Sequence, residues 1–238
     1  MKDAVETLQQ WVRESSRIVF FGGAGVSTES GIPDFRGVDG LYHQKYAYPP
    51  EEILSHYFFV HKPEEFYRFY RDKILIKGAK PNPAHLKLAE WEKQGKLLAV
   101  VTQNIDGLHQ DAGSVNVLEL HGSIRRNYCT RCSRSFTADE LLRTEGVPKC
   151  PCGGIIKPDV VLYQEALDQR VMNAAISAIS RADMLIIGGT SLSVYPAAGL
   201  IDLYGGDRLV LINKTPTPRD DRADLIVREP IGAVFSRL

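Results

Sequence analysis

Six short apolar runs recur along the 238-residue chain, each closed by glycine or a polar residue. The first, Arg17-Ile18-Val19-Phe20-Phe21, is β-branched and aromatic and stops at Gly22-Gly23; the others cover residues 97–102, 115–120, 184–187, 209–212 and 225–227. Runs that are apolar at successive rather than alternate positions predict parallel strands buried on both faces. Between them the period changes to that of a helix. Residues 83–94 carry Leu86, Leu88, Ala89 and Trp91, and residues 168–182 carry Val171, Met172, Ala175, Ile176 and Ile179, at helical spacing. Val5, Leu8 and Val12, with Trp11 beside them, predict an amphipathic surface helix over 1–16, which lacks the apolar region of a secretory signal. Strands alternating with helices over this length predict an α/β fold built on a doubly wound parallel sheet.

Two stretches interrupt the alternation. Residues 38–80 carry ten aromatics, from Tyr42 to Tyr70, among prolines and without a strand period, which predicts a helical and partly mobile insertion. Residues 123–157 hold all four cysteines and too few core formers to fold on packing alone. The expected organisation is a discontinuous sheet domain, residues 1–37, 81–122 and 158–238, with a small domain formed by the 38–80 insertion and the 123–157 module. The 44% hydrophobic and 24% charged fractions are ordinary for a globular chain. Lys+Arg and Asp+Glu number 29 each, so there is no basic excess for nucleic acid or a membrane surface. No apolar segment approaches the ~20 residues that span a bilayer. The expected compartment is the cytoplasm, where clustered thiols favour a metal over disulfides.

Candidate chemistry sits where the apolar runs stop, and in an open α/β sheet those ends share one crevice. Gly22-Gly23-Ala24-Gly25-Val26-Ser27-Thr28 follows the first run and precedes a helix, a context in which glycines let the backbone approach a pyrophosphate. It is not the dehydrogenase fingerprint, because Thr28 stands where a third glycine belongs, and a tight turn with an N-cap explains the same residues. Gln103-Asn104-Ile105-Asp106 follows the second run, and His121 closes the third. An imidazole with an ordinary pKa of about 6.5 suits a general base; the alternative is a buried histidine donating to a backbone carbonyl. Among the other histidines, His85 is expected to begin a helix and His109 to brace the Asn104-Ile105-Asp106 loop, while His43, His56 and His61 read as surface or insertion residues. Cys129-x-x-Cys132 and Cys150-Pro151-Cys152 form two close pairs, the pattern of a closed four-sulfur zinc site with no position left for catalysis. Four free thiols are the competing reading. In the second pair one residue separates the cysteines where two are commoner, and Gly153-Gly154 gives the backbone room.

Gly23-Ala24-Gly25-Val26-Ser27, Gly31-Ile32-Pro33-Asp34-Phe35-Arg36, Thr102-Gln103-Asn104-Ile105-Asp106, Leu120-His121-Gly122, Gly189-Thr190-Ser191-Leu192, Val194-Tyr195-Pro196-Ala197 and Ile212-Asn213 follow one another from the first strand almost to the C-terminus. Together they resemble the motif set of the sirtuins, NAD-dependent protein-lysine deacylases, in their small bacterial or archaeal form. The resemblance implies a Rossmann-like sheet with a small zinc-binding module and a helical insertion, with zinc on Cys129, Cys132, Cys150 and Cys152. It implies NAD across the sheet, its pyrophosphate on Gly23, Ala24 and Gly25 with Thr28 nearby. Asp34, Phe35 and Arg36 would lie on a cofactor loop in which Phe35 shields C1′ of the nicotinamide ribose from water. Gln103, Asn104, Ile105 and Asp106 would take the nicotinamide and its ribose. Thr190, Ser191, Asn213 and Lys214 would hold the adenosine ribose and phosphates, and Ile231 would touch the adenine unless it is a core residue. In the implied reaction the acetyl oxygen of a bound lysine attacks C1′ and expels nicotinamide. His121 acts as general base on a ribose hydroxyl, Asn104 orders water or the ribose, and the products are nicotinamide, O-acetyl-ADP-ribose and free lysine.

Residues 158–165 resemble the family loop that pairs with the substrate backbone, with Val160, Val161, Leu162 and Tyr163 as substrate contacts. The family commonly has two phenylalanines and a glycine where this chain has Leu162, Tyr163 and Gln164. In members that prefer succinyl or malonyl groups, a Tyr-x-x-Arg pair binds the acid; this chain has Tyr70 three residues after Tyr67, and Thr28 where those members tend to have alanine. Both differences imply uncharged acyl groups, acetyl first. The implied partners are acetylated-lysine proteins or peptides, and the chain is expected to be a monomer that binds neither nucleic acid nor membrane. Two other functions would use the same cofactor loops: mono-ADP-ribosyl transfer to another nucleophile, and a non-catalytic NAD or ADP-ribose sensor, for which Asn104, Asp106 and His121 would be surplus.

Overall fold

β1 (Ile18–Gly22) is buried at every position, as an unbroken apolar run requires of a strand covered on both faces. In the computed structural model, which describes residues 3–35, 40, 46–76 and 78–238, this strand lies at the centre of a six-stranded parallel sheet. It pairs with β2 (Leu97–Thr102) on one side and β7 (Met184–Gly188) on the other. β2 continues to β3 (Val117–Glu119), and β7 continues through β8 (Leu209–Ile212) to β9 (Leu225–Val227). The spatial order β3-β2-β1-β7-β8-β9 reverses direction between β1 and β7, which is the switch point of a Rossmann-like sheet. Alternate side chains of β1 feed two separate layers. Ile18 and Phe20 pack with the helices Ala4–Glu14, Pro83–Lys93 and Ile231–Phe235, whereas Val19 and Phe21 pack with the helix Gln169–Arg181 and the 3₁₀ segment Ala197–Leu203.

Local chemistry starts the longer helices where their sequences suggest. Asp3, Asn82 and Asp168 each accept a backbone N–H of the first turn, and Pro83 occupies the opening position of its helix. Two boundaries differ from expectation. The Glu92 carboxylate accepts the N–H groups of Val115 and Asn116 at 2.8 and 2.7 Å, so Val115 is 87% exposed and the strand begins only at Val117. The glycine loop enters no α-helix; Ala24–Val26 and Thr28–Ser30 are successive 3₁₀ turns.

A second, antiparallel sheet is made of β4 (Gly122–Cys129), β5 (Ser135–Thr137) and β6 (Ile156–Val160), in the order β5-β4-β6. Against it pack the helices Pro50–Ile53, His56–His61 and Pro63–Phe69 of the insertion. Phe58, Phe66, Tyr67 and Tyr70 share one buried cluster with Cys129, Leu141, Ile156 and Leu162. The 123–157 segment shares an apolar core to which the insertion supplies the large aromatics. Phe66 meets Phe59 edge-on at 5.2 Å and stacks on Tyr70 at 5.7 Å. Tyr42 and His43 lie outside the described residues. Among those described, no helix is long and apolar enough to cross a membrane.

His85 and His109 are buried side by side, their ring centroids 4.7 Å apart. Burial pulls His85 down to about 4 against the opposing influence of Asp106, and His109 down to about 3 with help from His85. Both rings are neutral in the folded chain, whereas unfolded histidine takes up a proton near pH 6.5. The unfolded state binds more protons below that value, so stability is complete above pH 6.5. It is expected to fall as pH drops toward 4, by up to about 1.4 kcal/mol per pH unit for each histidine. Urea midpoints measured at pH 7.5, 6 and 5 should decline, and His109→Leu should flatten the decline; midpoints independent of pH over this range would contradict a buried neutral pair.

Candidate active site

The carboxyl ends of five strands open into one cavity of about 740 Å³. After β1 the wall is Ala24 and Gly25; after β2 it is Gln103, Asn104, Ile105 and Asp106; after β3 it is His121. β7 contributes Gly189, Thr190 and Ser191, and β8 contributes Asn213. At the switch point the two glycine turns touch through their backbones. Gly25 N–H donates to the Gly189 carbonyl at 2.8 Å, and a Cβ on Gly25 would stand 2.8 Å from Gly189 Cα. Gly189 itself has φ +58°, a conformation open to glycine at little cost. The floor at this point is main chain alone, which leaves room for a bulky anionic ligand.

His121 enters this cavity with a defined orientation. Its Nδ1 lies 3.0 Å from the Gln103 carbonyl oxygen. A carbonyl only accepts, so Nδ1 carries the proton and Nε2 is the unprotonated nitrogen. Burial lowers the pKa of the ring and outweighs the opposing bond to Gln103, which keeps Nε2 unprotonated at neutral pH. The neighbouring loops are tied to each other by Ser27, whose Oγ donates to Asp106 Oδ2 at 2.7 Å and accepts from Asn104 Nδ2 at 3.1 Å. The second Asp106 oxygen accepts the Leu108 N–H at 2.9 Å. Sequence reasoning passed over Ser27 as a site residue because a serine in a glycine-rich turn reads as a helix cap. Gln103 Nε2 is buried with no partner among the described residues, a donor suited to a ligand.

Asp34 and Phe35 line the cavity, as do Val160, Val161, Leu162 and Tyr163. Leu162 is buried and Tyr163 is 38% exposed. Four of the expected residues do not reach the cavity wall. Gly23 donates its N–H to Gly188 and backs onto Thr190. Thr28 Oγ1 is turned to the Gly25 carbonyl at 3.0 Å. Lys214 is exposed, and Ile231 is buried in the core beside Gly188. Arg36 lies outside the described residues. Tyr67 is also away from the cavity, its hydroxyl donating to the Ile156 carbonyl. Tyr70 lines the cavity with a hydroxyl that burial holds in the protonated form.

The four cysteine Sγ atoms lie within 4.8 Å of one another, with Cys129 and Cys152 at 3.4 Å and Cys132 and Cys150 at 3.7 Å. Tetrahedral zinc with Zn–S bonds of about 2.3 Å requires sulfurs about 3.8 Å apart, and the Arg131 N–H points at Cys129 Sγ from 3.3 Å. The donor set fits zinc, and the one-residue spacing of the second pair is accommodated.

The model of the Sir2 family matches residues 23–196, well over half of the chain. The chain belongs to the Sir2 family. An NAD-dependent protein deacetylase of Clostridium acetobutylicum is 58% identical over 237 residues, which are 98% of this chain and 97% of that protein. Its counterpart in Clostridium perfringens is 56% identical over 242 residues, covering 100% and 99% of the two chains. Among solved structures, one described as Sir2 with p53 peptide and NAD+ superimposes with a TM-score of 0.87 at 41% identity, covering 100% of this chain and 97% of that one. Another, Sir2 bound to acetylated peptide, gives 0.86 at 40% identity with the same coverage. In this sirtuin, metal analysis of purified protein is expected to find one zinc ion per chain. Cys150→Ser should lower that content and expose the sheet of β4, β5 and β6 to proteolysis; fully reduced protein free of zinc and equally resistant would contradict the assignment.

Proposed function

We propose that this sirtuin is an NAD-dependent protein-lysine deacetylase, acting as a cytoplasmic monomer on acetyl and similar uncharged acyl groups of proteins. One observation carries the reading: the unprotonated Nε2 of His121 belongs to the same cavity as the Gly25 and Gly189 backbones and the 160–163 loop. Relatives named NAD-dependent protein deacetylase, more than half identical over nearly the whole chain, support it. In this reading residues 1–37, 81–122 and 158–238 form the NAD-binding domain, and 38–80 with 123–157 form the small domain. Cys129, Cys132, Cys150 and Cys152 hold a structural zinc.

NAD, when bound, supplies the ADP-ribosyl group that receives the acyl group, and nicotinamide as the leaving group. His121 takes a proton from a sugar hydroxyl through Nε2, and the Gln103 carbonyl on Nδ1 fixes the ring and stabilises its cationic form. Asn104, held by Ser27, orders the ribose or a water, and Gln103 Nε2 addresses the same sugar. Ile105 and Asp106 grip the nicotinamide amide. Ala24, Gly25, Thr190, Ser191 and Asn213 take the phosphates and the adenosine ribose. Phe35 covers the reacting centre against water, and Val160, Val161, Leu162 and Tyr163 form the wall beside the acylated lysine.

Removal of the base in His121→Ala is expected to lower product formation by about 10²–10⁴-fold while leaving ADP-ribose binding in place. Release of nicotinamide and O-acetyl-ADP-ribose from an acetyl-lysine peptide measures the first, and calorimetry the second. Because the folded-state pKa of His121 is lowered, the active base persists below pH 6.5, and the acid limb of kcat should have its midpoint under that value. Full turnover by the variant, or an acid limb above pH 6.5, would overturn the role of His121.

Acyl preference follows from Tyr67 and Tyr70. The Tyr67 hydroxyl is committed to Ile156, and Tyr70 brings no positive charge to the cavity. An acetyl-lysine peptide is therefore expected to be turned over at a higher kcat/KM than the succinyl-lysine peptide of the same sequence. The reverse order would show that another cation serves the acid.

A further inference from the structure

Behind the 160–164 loop lies a group of charged side chains that the chemistry proposed above does not use. Lys157, on β6, is a buried lysine, its side chain 6% exposed. Its ammonium lies 3.0 Å from Glu165 Oε2 and donates to the Val160 carbonyl at 2.9 Å, with the rings of Tyr128 and Phe59 at 5.8 and 6.0 Å. A charge so buried requires a partner. Glu165 does more than neutralise it. The same Oε2 accepts the Leu162 N–H at 2.9 Å, and Oε1 lies 2.8 Å from His56 Nδ1. Burial opposes the ionised carboxyl, but His56, the Leu162 N–H and Lys157 together hold its pKa below the ordinary range.

These contacts join three pieces of chain. Lys157 belongs to the strand that precedes the loop, Leu162 belongs to the loop itself, and His56 heads the helix His56–His61 of the insertion. Two backbone bonds run beside the carboxylate: Tyr163 N–H to the Leu54 carbonyl and His56 N–H to the Tyr163 carbonyl, both 2.9 Å. At the other end of the loop, Val161 N–H donates to the carbonyl of His121 at 3.0 Å. Gln164 sits at φ +77°, a backbone state that a non-glycine residue keeps only where its surroundings hold it. A buried ion pair adds little net stability, yet it selects one arrangement over its competitors.

We propose that Glu165, braced by Lys157 and His56, is a positioning residue that fixes the gap between the 160–164 loop and the insertion helix, and thereby the docking of the acylated peptide. This rests on the assignment of that loop to the substrate. Glu165 lies at the wall of the same cavity, but its carboxylate is taken up by Lys157, His56 and the Leu162 N–H, so the proposed role is exerted through the loop.

The test is steady-state kinetics of full-length, zinc-loaded protein with NAD and an acetyl-lysine peptide. Glu165→Gln keeps the shape and removes the charge that Lys157 requires. Peptide KM is expected to rise about fivefold or more, with KM for NAD and ADP-ribose affinity within about twofold of the parent. Glu165→Asp, charged but too short for all three partners, should fall between the two. A purely structural role would lower the thermal midpoint and leave peptide KM alone, or raise both KM values together, and either result overturns the proposal. Should Glu165→Gln not fold, His56→Ala removes one exposed arm of the hub and should raise peptide KM by about twofold without moving KM for NAD; an unchanged peptide KM there overturns it equally. Absence of peptide-dependent nicotinamide release in the parent protein removes the deacetylase reading and this inference with it. An active parent whose Glu165→Gln variant keeps its peptide KM removes this inference alone.

Discussion

Gly22, the last residue of β1, pairs with Thr102 on one side and with Gly188 on the other, and the site depends on that register. Parallel pairing brings the ends of the inner strands to one level, so the residues that follow them meet without long excursions. Gly25, Gln103, His121 and Gly189 are gathered in this way from four distant parts of the chain. The register is strongly specified because both faces of β1 are buried: a slip of one residue would exchange Phe20 for Phe21 and force each into the layer shaped for the other.

From this frame the cavity is completed by contacts between loops. A main-chain carbonyl orients His121, one serine hydroxyl ties Asn104 to Asp106, and the two glycine turns rest on each other. These bonds leave the groups turned toward the cavity few alternative arrangements, and such preorganisation is what a reaction centre needs. The junction to the second sheet is equally confined. Gly122 has φ +77°, and a Cβ there would stand 2.0 Å from the Asp159 carbonyl oxygen, so the residue after His121 can be only glycine.

β4 runs eight residues from that glycine to Cys129. At about 3.3 Å per residue, the eight steps from His121 to Cys129 put the cysteine cluster up to about 26 Å along the strand from the histidine, too far to take part in proton transfer. Its role is mechanical. It closes the far end of a sheet whose near end, through β6, carries Lys157 and leads into the 160–164 loop. The aromatics of the insertion fill the space between, so the small sheet gains from tertiary packing the core that its own residues do not contain.

Much of this was legible along the chain. Unbroken apolar runs marked the parallel strands because burial on both faces leaves no polar alternation, and the longer helices showed in their spacing and caps. The cysteine pairs and the polar residues closing the strands identified candidate chemistry, since few residue types can hold zinc or move a proton near neutral pH. Periodicity carried no information on where side chains with two plausible uses would settle. Ile231 went to the core and Ser27 became the link between Asn104 and Asp106, both through neighbours distant in sequence, while Thr28 turned back on Gly25, only three residues away. The sequence by itself determined the sheet, its order of elements and the inventory of reactive groups, because these follow from local pattern. Only the tertiary structure decided which nitrogen of His121 is left unprotonated and which carboxylate joins Lys157, His56 and the 160–164 loop, because hydrogen-bond geometry exists only once distant segments are packed together.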